Sequence, residues 1–184
     1  MTTIFFSGCA SPAPVTQEQS TPNPLTEDET SSIEITSIAF AHGQPIPPKH
    51  ACTGDPTSSL KDVSPELSWG EPPAGTQSFA LIMDDPDAPN GTWDHWILFN
   101  IPASTRGLPE SMPVNSGFPG GNNSWGRTGY GGPCPPSGTH RYFFKLYALD
   151  EMLAISPGAT KGELEKAMVG HILAQGELMG TFAQ

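Results

Sequence analysis

The alternation of hydrophobic and polar positions predicts a protein built mainly from β-strands. From Ile33 to Phe40, apolar and polar residues alternate as they do in a strand packed on one face. Three continuous apolar runs of strand length follow, each bounded by proline or glycine. These runs span residues 79–83, 96–101 and 142–149, and a shorter strand is predicted at 67–69. Because the three runs are rich in aromatic and branched residues, we interpret them as buried strands rather than buried helices.

Only the last part of the chain carries a helical pattern. Thr160 and Glu163 have the spacing of a capping box, and apolar residues then recur at helical intervals up to a stop at Gly176. The residues at these intervals are Leu164, Ala167, Met168, His171 and Ile172. Because loops rather than helices separate the strands, this order favours an antiparallel β-sandwich with a C-terminal helix over a βαβ fold.

The composition agrees with a turn-rich β-protein and excludes some classes of partner. The 184 residues include 20 glycines and 21 prolines, both of which are unfavourable inside helices. Eight Lys and Arg against 19 Asp and Glu give a net charge of −11. A protein this acidic repels nucleic-acid backbones and anionic lipid surfaces, so we expect neither as a bulk partner. The sequence shows no internal repeat and no transmembrane segment.

Residues 1–32 are predicted to be a leader remnant and a disordered tether in front of a folded domain at 33–184. The stretch 11–32 has four acidic residues, no basic ones and too few apolar side chains to offset the entropy cost of ordering. The apolar run before it ends in small residues and Cys9, which resembles the end of a bacterial lipoprotein signal. We therefore expect a lipid on Cys9 and a location in the cell envelope, lipid-anchored or periplasmic or extracellular; a cytoplasmic location is the alternative.

The other two cysteines, Cys52 and Cys134, lie in stretches rich in glycine and proline. They lack the Cys-x-x-Cys spacing of a structural zinc site. In an exported protein the two could form a disulfide, and two buried free thiols are an equally good reading. The sequence leaves this choice open.

Carboxylates and imidazoles at the predicted strand ends indicate a small anion-binding pocket. Asp85 and Asp87 follow the run 79–83, and residues two apart in an extended chain point the same way. His95 opens the next apolar strand, and a glycine-rich loop delivers His140. Each imidazole can donate to an anion while a carboxylate orients its ring. Residues interpreted instead as structural are His42, His50, His171 and Arg141, the last as the ion-pair partner of an Asp.

Three segments resemble the phosphatidylethanolamine-binding protein (PEBP) family, in its bacterial and archaeal Raf-kinase-inhibitor-like branch. They are DDPDAP at 84–89, TWDHWILFNIP at 92–102 and GYGGPCPPSGTHRYFFKLYAL at 129–149. Further matches at 52–54, 64–69 and 171–182 extend the resemblance over residues 33–183. The resemblance implies a β-sandwich with a large and a small antiparallel sheet, a C-terminal helix and a pocket for a phosphate or phospho head group.

Matching positions imply which residues form that pocket. The implied residues are Asp85, Asp87, His95 and His140, with Pro136 and Tyr142 as walls and Tyr130 nearby. Two departures stand out. Ser124 and Trp125 follow Asn123 where an Asp-Phe pair is more usual in the family, which affects the pocket rim. Residues 55–62 look like an added loop, expected at the surface.

We expect a binding or inhibitory module rather than an enzyme, with no cofactor and no metal. No Ser or Cys is spaced beside a His and a third orienting group, as an activated nucleophile requires. One alternative is a phosphomonoester hydrolase with Asp85 as nucleophile and Asp87 as acid/base, which needs a parallel sheet with interleaved helices. Another is a divalent metal site at the same Asp/His cluster, which lacks local ligand spacing. Relatives imply inhibition of a kinase or a serine protease, and a homodimer is left open.

Overall fold

Two β-sheets sharing one hydrophobic core form the fold in the computed structural model, which describes Met1, Thr3 and residues 31–52 and 62–184. The large sheet has the order β1-β8-β7-β4-β5, and the small sheet has the order β2-β3-β6. β1 pairs with β8 in parallel, and every other pair of strands is antiparallel. The elements are β1 (Ser31–Ser32), β2 (Ile35–Thr36), β3 (Leu67–Trp69), β4 (Ser78–Asp85), β5 (Trp93–Pro102), β6 (Gly107–Leu108), β7 (Thr139–Leu149), α1 (Lys161–Met168) and β8 (Ile172–Ala183).

The central strand β4 is covered on both faces, which explains its continuous apolar sequence. Phe79 and Leu81 face the core between the two sheets. Ala80 and Ile82 point to the opposite face and pack in a second cluster that includes Leu164 of α1. Every residue of β4 is therefore buried, and a strand of this kind needs apolar side chains at odd and even positions alike.

Most of the predicted strands are confirmed, and one is wrong in extent. The runs at 67–69, 79–83, 96–101 and 142–149 form β3, β4, β5 and β7. The alternating stretch from Ile33 to Phe40 contains only the two-residue strand β2, and Ile38 is 90% exposed. The chain leaves the sheet there because the Ile38 N–H is bound by the carboxylate of Glu66 rather than by a neighbouring strand.

The C-terminal helix begins as predicted but is shorter than predicted. The capping box between Thr160 and Glu163 is present, and α1 ends at Met168. Gly170 adopts a φ of +84°, which ends a helix at little cost to glycine. His171 therefore lies outside the helix. Residues from Ile172 onward form β8, a strand that the sequence did not predict.

Gly176 was expected to stop the helix, but it lies within β8, close to the residues that follow β1. A Cβ at this position would lie 1.9 Å from the carbonyl oxygen of Ile33, so only glycine permits the approach. Ser31 and Ser32, assigned above to the tether, pair with β8 and belong to the sheet. Residue 2, residues 4–30 with Cys9, and residues 53–61 lie outside the described residues; the last range contains all of the added loop (55–62) except Asp62.

Candidate functional site

A cavity of about 390 Å³ lies where β4 ends and where β5 and β7 begin. Because β5 and β7 both run antiparallel to β4, their first residues lie beside its last ones. Asp85 from β4, His95 from β5 and His140 from β7 thus reach the same cavity. The full lining consists of Asp85, Ala88, Pro89, Asn90, Trp93, His95, Trp125, Cys134, Pro136 and His140.

His140 and Asp85 form a buried pair at this cavity. Nδ1 of His140 lies 2.7 Å from Oδ2 of Asp85, and each side chain is at most 10% exposed. Because a carboxylate accepts hydrogen bonds, the imidazole hydrogen lies on Nδ1 and Nε2 is left for a ligand. The other carboxylate oxygen, Oδ1, accepts the backbone N–H of Asp87 at 2.8 Å. Both oxygens of Asp85 are therefore engaged.

His95 is held in a similar way by a backbone carbonyl. Its Nδ1 donates to the carbonyl oxygen of Gly131 at 2.7 Å, which again leaves Nε2 for a ligand. The ring is 2% exposed and packs edge-to-face against Tyr142 and Trp125, with centroids 5.2 and 5.0 Å away. Burial lowers the pKa of His95, and the hydrogen bond to Gly131 opposes that shift in part. At neutral pH the ring is therefore uncharged, and Nε2 carries a lone pair.

Asp87 is not among the residues that line the cavity. Its carboxylate accepts two hydrogen bonds from the guanidinium of Arg141, at 2.9 and 2.7 Å, and a third from the Arg141 backbone N–H. The Arg141 side chain lowers the pKa of Asp87 to about 2. The expected ion pair of Arg141 with an Asp is confirmed. Alternation did not extend to Asp87 because β4 ends at Asp85 and a turn follows.

The two tyrosines lie beneath or beside the cavity rather than in its lining. Tyr142 is fully buried under the His95 ring, and burial together with the nearby Asp85 raises the pKa of its hydroxyl well above the ordinary value. Tyr130 donates its hydroxyl to the carbonyl oxygen of His50 at 2.7 Å and packs against Trp96. Tyr130 thus ties the glycine-rich segment to the residues around His50. Of the two predicted walls, Pro136 lines the cavity directly.

A disulfide between Cys52 and Cys134 fixes one wall of the cavity. The bridge is possible because Gly132 packs directly on the chain around Ala51. A Cβ on Gly132 would lie 2.6 Å from the His50 carbonyl oxygen. The Cys52 N–H also donates to the Pro133 carbonyl at 2.9 Å. The structure thereby answers the question that the sequence left open.

Tryptophans form an aromatic wall that sequence reasoning did not assign to the site. Trp93 and Trp125 meet edge-to-face with ring centroids 5.4 Å apart. The Ser124–Trp125 departure was the available signal, and it does reach the rim. Asn123 accepts the N–H of Trp125, and Ser124 accepts the N–H of Asp94, so the turn is fastened to β5. The other lining residues that the sequence did not assign are Ala88, Pro89, Asn90 and Cys134.

The described lining offers binding groups but no free hydroxyl or thiol nucleophile. It contains no Ser or Thr, and the sulfur of Cys134 is held in the disulfide. Among residues 31–52 and 62–184, no group of three or more His, Cys, Asp or Glu side chains is arranged to hold a metal ion. The same part of the chain has no helix long and apolar enough to span a membrane.

Comparisons with known proteins agree with this fold. The family model described as phosphatidylethanolamine-binding protein matches residues 36–183. A UPF0098 protein of Aquifex aeolicus is 47% identical over 156 residues, covering 82% of this chain and 88% of the relative. A UPF0098 protein of Methanothermobacter thermautotrophicus is 46% identical over 154 residues, covering 82% and 98%. The chain belongs to the phosphatidylethanolamine-binding protein family.

Two solved structures share the architecture. The PEBP homolog CT736 of Chlamydia trachomatis superposes with a TM-score of 0.75 at 40% identity, covering 84% of this chain and 99% of that one. YbcL of Escherichia coli, described as a member of the mammalian PEBP family, gives a TM-score of 0.75 at 29% identity with the same coverage. The predicted family and the predicted mainly-β fold with a C-terminal helix are therefore confirmed.

Proposed function

We propose that the cavity binds phosphate or a phosphate monoester and does not catalyse a reaction on it. One observation carries the proposal. Two imidazoles from distant segments line one cavity, and in each ring Nδ1 is held by an acceptor while Nε2 is left for a ligand. Two protonated Nε2 atoms are suitable donors to the oxygens of a phosphate group.

Charge balance requires that protons accompany the anion. Asp85 already places a negative charge at the cavity, and the uncharged His95 contributes no positive charge at neutral pH. A lone pair on Nε2 would repel an oxygen of a dianion. Binding is therefore coupled to the uptake of a proton by an imidazole, or to a ligand that brings its own P–OH proton.

A binding role is favoured over hydrolysis by the hydrogen bonds of Asp85. Each carboxylate oxygen accepts one, from His140 or from the Asp87 backbone, and such bonds make a carboxylate less nucleophilic. The alternative of a phosphomonoester hydrolase with Asp85 as nucleophile also needs a parallel sheet with interleaved helices. The described large sheet is antiparallel apart from β1. The name of the matching family model refers to binding, in agreement with this proposal.

Anion affinity is expected to rise as the pH falls. Sulfate is the suitable probe because it stays a dianion, whereas phosphate takes up a proton itself in this range. We expect sulfate to bind at least about 10-fold more tightly at about pH 5 than at about pH 8, because protonated imidazoles attract it and donate to it. The rise should continue below pH 6.5, since burial lowers the pKa of free His95. Isothermal titration calorimetry across this range measures the profile.

Two variants assign that pH profile to the cavity. His95→Gln should make it shallower, because the imidazole of His95 is gone. His171→Gln is the control: it removes an imidazole whose Nδ1 is likewise bound to an oxygen acceptor, here Asp150, but which does not line the cavity. A flat or inverted profile in the unsubstituted protein would refute the proposed protonation of the site.

The disulfide supports a location in an oxidising compartment, where such bridges persist. We therefore favour the cell envelope for this protein, and a lipid on Cys9 stays a prediction. Inhibition of a serine protease or kinase and formation of a homodimer also stay predictions. Native mass spectrometry of protein from its own host reads the lipid adduct, the bridge and the subunit count together; an unmodified, reduced chain would refute the envelope assignment.

A further inference from the structure

The cavity is larger than a phosphate ion requires. Its volume of about 390 Å³ falls in the range of small-molecule sites, about 300–1,000 Å³. A single water takes up about 30 Å³ in the liquid, and a bare phosphate amounts to only a few waters. If the imidazoles hold a phosphate group, most of the cavity is left for the organic part of the ligand.

Apart from Asn90, the remaining lining residues are apolar or aromatic, and several of them are stiff. Pro89 and Pro136 have fixed backbone angles, and the disulfide restrains Cys134. Trp125 is held between neighbours: a Cβ on Gly131 would lie 2.4 Å from its ring, and its backbone N–H is bound by Asn123. A wall that is already rigid loses little conformational entropy when a ligand binds. Such a wall suits a flat, rigid group better than a flexible chain.

The contacts of Trp125 favour an aromatic group over a cationic one. The guanidinium of Arg127 lies 5.6 Å from the Trp125 ring centroid and is anchored by an ion pair with Asp62. The ring therefore already carries a cation–π contact, and a second cation would be repelled by the first. Trp93, Trp125 and His95 meet edge-to-face, and a further aromatic ring can extend this arrangement. Trp125 is still 42% exposed.

We infer that the site selects phosphate monoesters of aromatic groups, with Trp125 as the residue that determines this specificity. The inference rests on the proposed anion site at His95 and His140. The phosphate occupies the imidazole end, and the aryl ring packs against Trp125 and Trp93. Trp125 acts on the organic part of the ligand, so its removal should change the preference among esters.

The test compares three probes at about pH 6: inorganic phosphate, phenyl phosphate and phosphoethanolamine. We expect phenyl phosphate to bind about 10-fold more tightly than inorganic phosphate, in keeping with one additional aromatic contact and its buried area. Trp125→Ala should reduce this ratio to less than about 2-fold, and Trp125→Phe should retain most of it. Met152→Ala is the control, because Met152 is comparably exposed (51%) and does not line the cavity.

The outcomes distinguish failure of the aryl specificity from failure of the proposed anion site at His95 and His140. If inorganic phosphate binds but phenyl phosphate binds no more tightly, or if Trp125→Ala keeps the ratio, the aryl specificity is refuted and the anion site stands. Tighter binding of phosphoethanolamine than of phenyl phosphate refutes it as well, in favour of a cationic head group. If none of the three probes binds, both the inference and the anion site are overturned.

Discussion

His140→Ala is expected to weaken phosphate binding at least about 30-fold. The substitution removes one of the two imidazole donors and leaves the carboxylate of Asp85, which is 3% exposed, without its imidazole partner beside the anion. Truncating one member of a buried, hydrogen-bonded charge pair costs about 2–5 kcal/mol in binding, and 1.4 kcal/mol is a factor of ten. Calorimetry with inorganic phosphate at about pH 6 measures the loss.

Stability must be separated from binding in this experiment. A buried acceptor that loses its partner also lowers the free energy of unfolding, by about 1–3 kcal/mol. In the double variant Asp85→Asn with His140→Ala, the uncompensated charge is gone, so stability should recover while binding stays weak. His171→Ala is the control. It removes the imidazole of a more exposed His–Asp pair, His171 with Asp150, and should leave phosphate affinity unchanged. Full affinity in a folded His140→Ala protein would contradict the site.

Removal of the disulfide is expected to lower the free energy of unfolding by about 4 kcal/mol. Cys52 and Cys134 are 82 residues apart, and a crosslink closing a loop of that length restricts the unfolded chain by roughly 4.5 kcal/mol in the chain-entropy account. Urea denaturation of the Cys52→Ser, Cys134→Ser double variant measures the change. Cys9→Ser, which removes the remaining cysteine and keeps the bridge, is the matched control.

The same double variant should also bind phosphate more weakly. Cys134 lines the cavity, and the segment that follows it leads through Pro136 to His140. Without the bridge, this segment is held to the chain around Ala51 by the packing of Gly132 and by hydrogen bonds such as Cys52 N–H to Pro133 O. In the urea experiment, an unchanged denaturation midpoint in this double variant would show that the bridge does not form in solution.

The strands that could be predicted are those whose burial dictates their sequence. β4 and β7 lie inside the large sheet, where each is paired with a strand on both sides. Their sequences show this directly: β4 is buried throughout, and buried positions alternate along β7. β8 escaped prediction because its first residues also fit the helical spacing that begins at Leu164. Its assignment depends on pairing with β7 along its length and on Gly176 admitting the chain at Ile33. Those contacts are between residues far apart in sequence.

The candidate site was predictable where residues sit at strand ends. The structure brings Asp85, His95, Pro136 and His140 to one cavity because antiparallel pairing places the end of β4 beside the starts of β5 and β7. Alternation failed for Asp87, which follows the end of its strand. The aromatic wall was not predictable from spacing, because Trp125 reaches the cavity through a turn fixed by Asn123.

The most direct test of the account observes the imidazole nitrogens themselves. Long-range ¹H–¹⁵N correlation spectra of histidine-labelled protein report which ring nitrogen is protonated. At neutral pH without ligand we predict that His95 carries its hydrogen on Nδ1, as its bond to Gly131 requires. Saturation with phosphate should then shift the Nε2 signals of His95 and His140 toward the protonated form. Unchanged signals from these two rings, or shifts confined to His42, His50 and His171, would contradict the proposed site.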